Sequence, residues 1–360
     1  MNSNTVQHSN QPKLRVAING FGRIGRNVLR AFLEYSHKFD DVEIVAINDV
    51  ADGETLLHLL KFDSTHGRLS ALGLQARLSS NGVGDDFLVI GNDKKTVRIH
   101  LLNQAKPDAL PWQTLGIDVV LECTGLFRSY QGANLHRTAG ARQVIIGAAP
   151  FDYVDASIVL GVNDGELNQD LSIISGVSCT TQALVPLLAV LDRHFGIQSA
   201  MMTEIHAVTA DQTVLDKAHR DWRRARASGH NIIPTTSSSI AATERVLPQM
   251  AGKINGHSIR VPTMNVAAID VTVVLAQMTN VDELKNLFTK QSQGELRGIM
   301  GYTDEPLVSS DFIHDTHSLV IDGGQLMMAG EQIKIFAWYD NEWGYANRLL
   351  ELCAKLAIYK

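Results

Sequence analysis

Residues 14–18 read Leu-Arg-Val-Ala-Ile, a short β-rich run. Gly20-Phe21-Gly22-Arg23-Ile24-Gly25 follows almost at once, then a helical stretch with Val28, Leu29, Phe32 and Leu33 on one side. No other feature constrains the fold as strongly. A strand, a glycine-rich turn and a helix in that order open a doubly wound α/β sheet with a dinucleotide crevice. Gly20 permits the tight turn, Gly22 lets a pyrophosphate approach the backbone, and Gly25 allows close helix–strand packing. The phosphates then sit on the helix N-terminus. A second strand, 42–47, ends in Asn48-Asp49, and Asp49 lies 24 residues after Gly25. That distance suits the carboxylate that takes the adenosine ribose hydroxyls. It also repels a 2′-phosphate, so NAD is expected rather than NADP.

Strand and helical patterns alternate onward from residue 13, through 118–123 and 143–146, as in a parallel doubly wound sheet. After about residue 195 the pattern changes. Runs such as 267–276 and 332–339 alternate like strands of a mainly antiparallel sheet with one covered face. The expected class is therefore α/β: a Rossmann-type doubly wound sheet joined to an α+β domain. The expected divisions are a flexible tail over 1–12, a nucleotide domain over 13–178, a second domain over 179–341 and a closing helix over 342–360. A chain of 360 residues can bury two cores, and its 45% hydrophobic and 19% charged content is ordinary for a globular protein. A net charge of −6 gives no case for a nucleic-acid surface. No apolar run reaches bilayer-spanning length, and no apolar leader opens the chain. Cysteines at 123, 179 and 353 are too few and scattered for a disulfide framework. They fit a reducing cytoplasm, and no metal-ligand spacing is present.

Cys179 stands just before an amphipathic run with Leu184, Leu187, Leu188, Leu191 and Phe195 at helical spacing. The start of a helix carries orphan N–H groups and a positive dipole end, which favour thiolate over thiol. His206, 27 positions further on, can complete deprotonation and shuttle a proton. Pro186 removes one backbone bond and predicts an irregular first part of the helix.

The matching segments now form a pattern: 17–26, Phe62-Asp63-Ser64-Thr65-His66-Gly67-Arg68, Glu122-Cys123-Thr124-Gly125, Ser178-Cys179-Thr180-Thr181, Arg260-Val261-Pro262-Thr263 with Asn265, and 338–345. From about residue 13 to 360 the chain resembles the phosphorylating glyceraldehyde-3-phosphate dehydrogenase family, which includes erythrose-4-phosphate dehydrogenase. The resemblance implies that Cys179 attacks an aldehyde and that His206 is the base assisting hydride transfer to NAD. It implies that residues 20–25, Asp49 and Thr124 hold the cofactor, with Asn341 on the nicotinamide carboxamide and Tyr345 packed nearby. Thr209, Asp211 and Arg226 match positions that bind the substrate phosphate and neighbouring cofactor hydroxyls. Ser178, Thr180, Ser237 and Ser238 match the second anion site, where attacking inorganic phosphate binds. A homotetramer, a loop over 217–240 at its core and a final helix returning to the nucleotide domain are implied as well.

Three positions depart from the family pattern. Gln182 stands where Asn is usual, Ser237-Ser238 replace Thr-Gly, and Lys217-Ala218 replace the Leu-Pro common in NAD-specific members. Residues 111–118 and 314–323 lean toward the erythrose-4-phosphate branch. Asp49 after Asn48, Trp222, 231–234 and 338–340 lean toward glyceraldehyde 3-phosphate, which is the favoured substrate. A binding protein with idle machinery is the reading from another class. The joint presence of Cys179, His206, Arg226 and Asn341 argues against it.

Overall fold

The computed structural model describes residues 12–82, 86–92 and 96–360. The tail expected over 1–12 lies outside them, Pro12 excepted. The first sheet is built from β1 (Leu14–Asn19), β2 (Val42–Asn48), β3 (Gln75–Ser80), β4 (Asp86–Gly91), β5 (Thr96–Leu102), β6 (Val119–Glu122), β7 (Gln143–Ile146), β8 (Ala156–Ser157) and β9 (Ile173–Ser175). Their spatial order is β8-β9-β7-β6-β1-β2-β5-β4-β3. All neighbours are parallel except β5-β4-β3, an antiparallel edge that the alternation pattern did not announce. Helices α1 (Arg23–Glu34), α2 (Gly53–Lys61) and α3 (Tyr130–Thr138) make the crossovers. Chain order reverses at β1, between β2 and β6, so a crevice opens at the carboxyl ends of β1 and β6.

A buried polar network braces that crevice from below. Trp112 Nε1 donates to His136 Nδ1 at 3.0 Å, and His136 Nε2 faces Glu122 Oε2 at 3.1 Å. The Asn19 amide also donates to Glu122, and Asn48 donates to Asn19 at 2.7 Å. Each donor and acceptor here answers another, as buried polar groups must.

The second sheet follows α4 (Cys179–Phe195). It contains β10 (Ile197–Ala207), β11 (Ile233–Thr235), β12 (Ile254–Val261), β13 (Ala267–Leu275), β14 (Met300–Thr303), β15 (Leu319–Asp322), β16 (Met327–Ala329) and β17 (Gln332–Tyr339). The order is β11-β12-β10-β13-β17-β15-β14, with β16 on β17. It is mostly antiparallel, with β10–β12 and β14–β15 parallel. Helices α5 (Ser239–Val246) and α6 (Val281–Gln293) accompany it. Along β13, Ile269, Val271, Val273 and Leu275 join Leu184, Leu187 and Leu188 of α4 in one core. Helix α4 runs through Pro186 unbroken, contrary to the expected irregularity. Nearly every residue from Thr180 to Leu188 is buried, so packing outweighs the bond that proline removes. The last helix, α7 (Trp343–Ala357), lies on the first unit, where Leu349, Leu350 and Cys353 share a core with Val16, Val28 and Leu29. Among the described residues no helix is long and apolar enough to cross a membrane.

Candidate active site

Strand β10 carries the site because its inward face changes character along its length. Ala200 and Met202 point into the core, and the next two residues on that face are Glu204 and His206. Opposite them α4 begins at Cys179. Ser178 caps it by accepting the Thr181 N–H at 3.1 Å. Just upstream Val177 adopts φ +51°, a left-handed conformation rare for a β-branched residue. Two bonds hold it there: Val177 N–H donates to Ser175 Oγ at 2.9 Å, and Tyr345 Oη donates to the Val177 carbonyl at 2.7 Å. The local cost of a sparsely populated φ, about 1–3 kcal/mol, is offset by packing that fixes where Cys179 points.

Cys179 Sγ lies 3.6 Å from His206 Nε2. His206 Nδ1 sits 2.7 Å from the Ala207 carbonyl, so Nδ1 carries the proton and Nε2 faces sulfur as an acceptor. Burial, and after it the Glu204 carboxylate, push the Cys179 thiol up to about 12, with Arg260 and Thr180 pulling the other way. Burial and the Arg260 guanidinium pull the His206 imidazole down to about 4. The resting pair is therefore thiol and neutral imidazole, the sulfur keeping the proton that the helix start alone would help it lose. Burial outweighs the helix end here. Gln182, the departure from Asn, donates to the carbonyls of Ile158 (2.9 Å) and Gly176 (3.1 Å), bracing the loop behind Cys179.

The nucleotide turn is as tightly built. Gly20 has φ +93°, and a Cβ there would meet the Thr124 backbone at 2.6 Å. A Cβ on Gly25 would meet the Gly20 carbonyl at 2.2 Å, whereas Gly22 faces open space. Asp49 accepts the Phe21 N–H at 2.7 Å and the Ala51 N–H at 2.9 Å, which fixes its carboxylate beside the turn. Thr124 is tied through N–H and hydroxyl to Glu122. Phe21 is buried and Ile24 packs against the same core. Arg23 contributes only main chain to the turn, because its guanidinium is engaged by Asp63 and Glu342. Asn341 is 7% exposed, and its buried Oδ1 has no hydrogen-bond partner among the described residues. An orphaned buried amide fits a ligand that brings its own amide N–H.

The residues expected to bind anions separate into two groups. Arg226 does not join the site: it is exposed, and its Nε pairs with Asp216 at 3.2 Å. Asp211 is exposed too, held by Arg224 at 2.6 Å and by His219. Thr209 is half-buried just past the end of β10. The arginine that faces the Cys–His pair is Arg260, opposite His206 in the β10–β12 register, with Nη1 3.4 Å from the Ala207 carbonyl. Its segment was visible as Arg-Val-Pro-Thr, but only pairing of the two strands assigns its place. Of the residues expected at the second anion site, Ser178 Oγ contacts Thr181 Oγ1 (2.7 Å) and Ser239 Oγ (3.2 Å). Thr180 donates to Glu204 and Ser237 Oγ accepts the Ser239 N–H, whereas Ser238 is exposed. Glu204 was overlooked in the sequence, although its place two residues before His206 puts both on one strand face.

Fold and site together define an NAD-binding dehydrogenase that carries a cysteine–histidine pair. The NAD-binding domain of glyceraldehyde 3-phosphate dehydrogenase matches residues 14–130, and the C-terminal domain of the same enzyme matches 178–341. The glyceraldehyde-3-phosphate dehydrogenases of Mycobacterium bovis (strain BCG / Pasteur 1173P2) and Mycobacterium tuberculosis (strain ATCC 25618 / H37Rv) are each 47% identical over 341 residues. Those alignments cover 94% of this chain and 97% of each relative. The chain belongs to the glyceraldehyde-3-phosphate dehydrogenase family and is an NAD-dependent oxidoreductase acting on an aldehyde.

Asp49 gives the first test. Asp49→Gly is expected to narrow the preference for NAD over NADP by about tenfold, since a carboxylate near a 2′-phosphate is repulsive and its removal relieves that. Catalytic efficiency with each cofactor measures the ratio. A wild type that prefers NADP would refute the reading.

Proposed function

We propose that this chain oxidises D-glyceraldehyde 3-phosphate with NAD and inorganic phosphate to 1,3-bisphosphoglycerate. The observation that carries the reading is the 3.6 Å contact between Cys179, first in α4, and His206 Nε2. Residues 20–25, Asp49 and Thr124 hold the dinucleotide, and Asn341, with Tyr345 behind it, holds the nicotinamide end. Bound NAD supplies the hydride acceptor. His206 Nε2 takes the thiol proton as the Cys179 sulfur adds to the aldehyde carbon and passes it to the carbonyl oxygen. The thiohemiacetal hydroxyl then gives its proton back to Nε2 as hydride leaves carbon. The Cys179 backbone N–H steadies the oxygen. Phosphate then attacks the thioester carbon, the C–S bond breaks, and the thiol returns.

Thr209 and Asp211 border the place for the substrate phosphate. Arg260, rather than Arg226, supplies the guanidinium there, because a planar fork suits phosphate only where it faces the site. Arg260→Ala is expected to raise KM for the aldehyde phosphate by about tenfold or more, the cost of a lost charge-assisted pair. Arg226→Ala should leave it within about twofold, as exposed ion pairs contribute little. Initial rates over a range of aldehyde decide, and the opposite order restores Arg226.

The working form is a cytoplasmic homotetramer. Val214, Leu215, Trp222 and Ile232 on the loop after β10 support it, being large apolar side chains at 71–87% exposure. Absorbance of reduced nicotinamide with glyceraldehyde 3-phosphate or erythrose 4-phosphate, with and without phosphate, tests the whole reading. Saturable dependence on phosphate with the three-carbon substrate supports it. Indifference to phosphate with erythrose 4-phosphate faster would give the chain to the other branch.

A further inference from the structure

One hydroxyl of the second anion site is already committed to an anion that belongs to the chain. Thr180 Oγ1 donates to Glu204 Oε1 at 2.7 Å. Glu204 is 3% exposed, and His206 Nε2 is 3.8 Å from its Oε1. Thr180 also meets Tyr339 Oη at 2.8 Å, so the hydroxyl has little freedom to turn elsewhere. Ser178 is no freer, since it caps α4 and contacts Ser239. Burial opposes the charge on Glu204, but His206, Arg260 and neighbouring hydroxyl groups outweigh it and hold the carboxyl below its ordinary range.

We infer that the Glu204 carboxylate is a built-in competitor for the attacking inorganic phosphate, seated on the Thr180 hydroxyl that phosphate would use. The inference rests on the phosphorylating reading above. Carboxylate and phosphate are both oxyanions that accept from hydroxyls, and one hydroxyl proton serves one strong acceptor. A phosphate ion brought beside a buried carboxylate also meets strong repulsion, because little solvent screens it. Phosphate must therefore displace Glu204 from its donor, which keeps the phosphate site weak. The acyl-enzyme then waits for high phosphate.

The test compares wild type with Glu204→Gln, which keeps the shape and the acceptor oxygen, and with Glu204→Thr, which removes the carboxylate and adds a hydroxyl. Turnover is followed against inorganic phosphate at saturating NAD and glyceraldehyde 3-phosphate, and phosphate is titrated by calorimetry. NAD titration certifies that each variant is folded. Loss of one nearby charge should lower KM and Kd for phosphate by about tenfold or more in both variants. Phosphate constants that stay put or rise, with turnover still phosphate-dependent, would overturn the inference and leave the phosphorylating reading standing. A fall in the aldehyde KM alone would also overturn it, placing the carboxylate beside the substrate's own phosphate. Turnover indifferent to phosphate in all three proteins would sink both.

Discussion

Cys179→Ser is expected to lower the oxidation rate by roughly 10⁴-fold while NAD binding is retained. Serine at the first position of α4 leaves the Ser178 cap and the helix intact, because the cap runs through Ser178 and Thr181. What is lost is the nucleophile. A hydroxyl ionises far less readily than a thiol, and a neutral imidazole 3.6 Å away has been arranged for sulfur. Fluorescence titration with NAD separates binding from chemistry, since residues 20–25 and Asp49 lie on other elements. The same site accounts for selective alkylation. Iodoacetamide should label Cys179 ahead of Cys353, which is fully buried, and ahead of Cys123, whose thiol burial and Glu122 push far up. Among the described residues only Cys179 has an imidazole positioned to take its proton. Substantial oxidation by the serine variant, or equal labelling of Cys123, would move the nucleophile elsewhere.

Which parts of this were legible in the sequence follows from how local each signal is. The glycine turn was readable because its steric demands lie within a dozen residues. Gly25 needs no side chain because the Gly20 carbonyl is 2.2 Å from where a Cβ would stand. Apolar spacing from Leu184 to Phe195 announced α4, and alternation announced β13 and β17. Strands β3 and β4 were not announced, since β3 is the edge of the sheet and is buried only in part, and β4 finds its place only by pairing with β5 and β3.

The site residues divide along the same line. Arg226 and Arg260 are both arginines in matching segments, and composition does not rank them. Arg226 falls on a loop where Asp216 claims it, whereas Arg260 is carried by β12, whose register with β10 sets it opposite His206. Ser238 and Ser239 differ in the same way. The single residue step into α5 decides that Ser239 reaches Ser178 and Ser238 points to solvent. Glu204 shows where propensity and pattern disagree. A buried carboxylate inside a strand breaks the expected apolar face, and such breaks occur where a chain gives up local consistency for chemistry.

His206→Asn is expected to slow hydride transfer by about 10²–10³-fold, the usual contribution of a positioned general base. Asparagine keeps a polar group on β10 but cannot hold a proton at the place of Nε2. The thiohemiacetal hydroxyl must then release its proton to water in a site that admits little. The pH profile distinguishes this from damage to the fold. In the wild type, burial and Arg260 pull the imidazole down to about 4, so the neutral base persists well below the ordinary histidine value of 6.5. Protonation of His206 should thus cut the rate only as pH falls toward that value, giving an acid limb that lies lower than an exposed histidine would give. In the asparagine variant that limb should vanish, leaving a rate that rises with pH as the Cys179 thiol ionises without help. Pre-steady-state formation of reduced nicotinamide across about pH 3 to 9 measures both effects. A variant that kept the wild-type limb, at whatever rate, would show that another group takes the proton, and Glu204, 3.8 Å from Nε2, would be the first to examine.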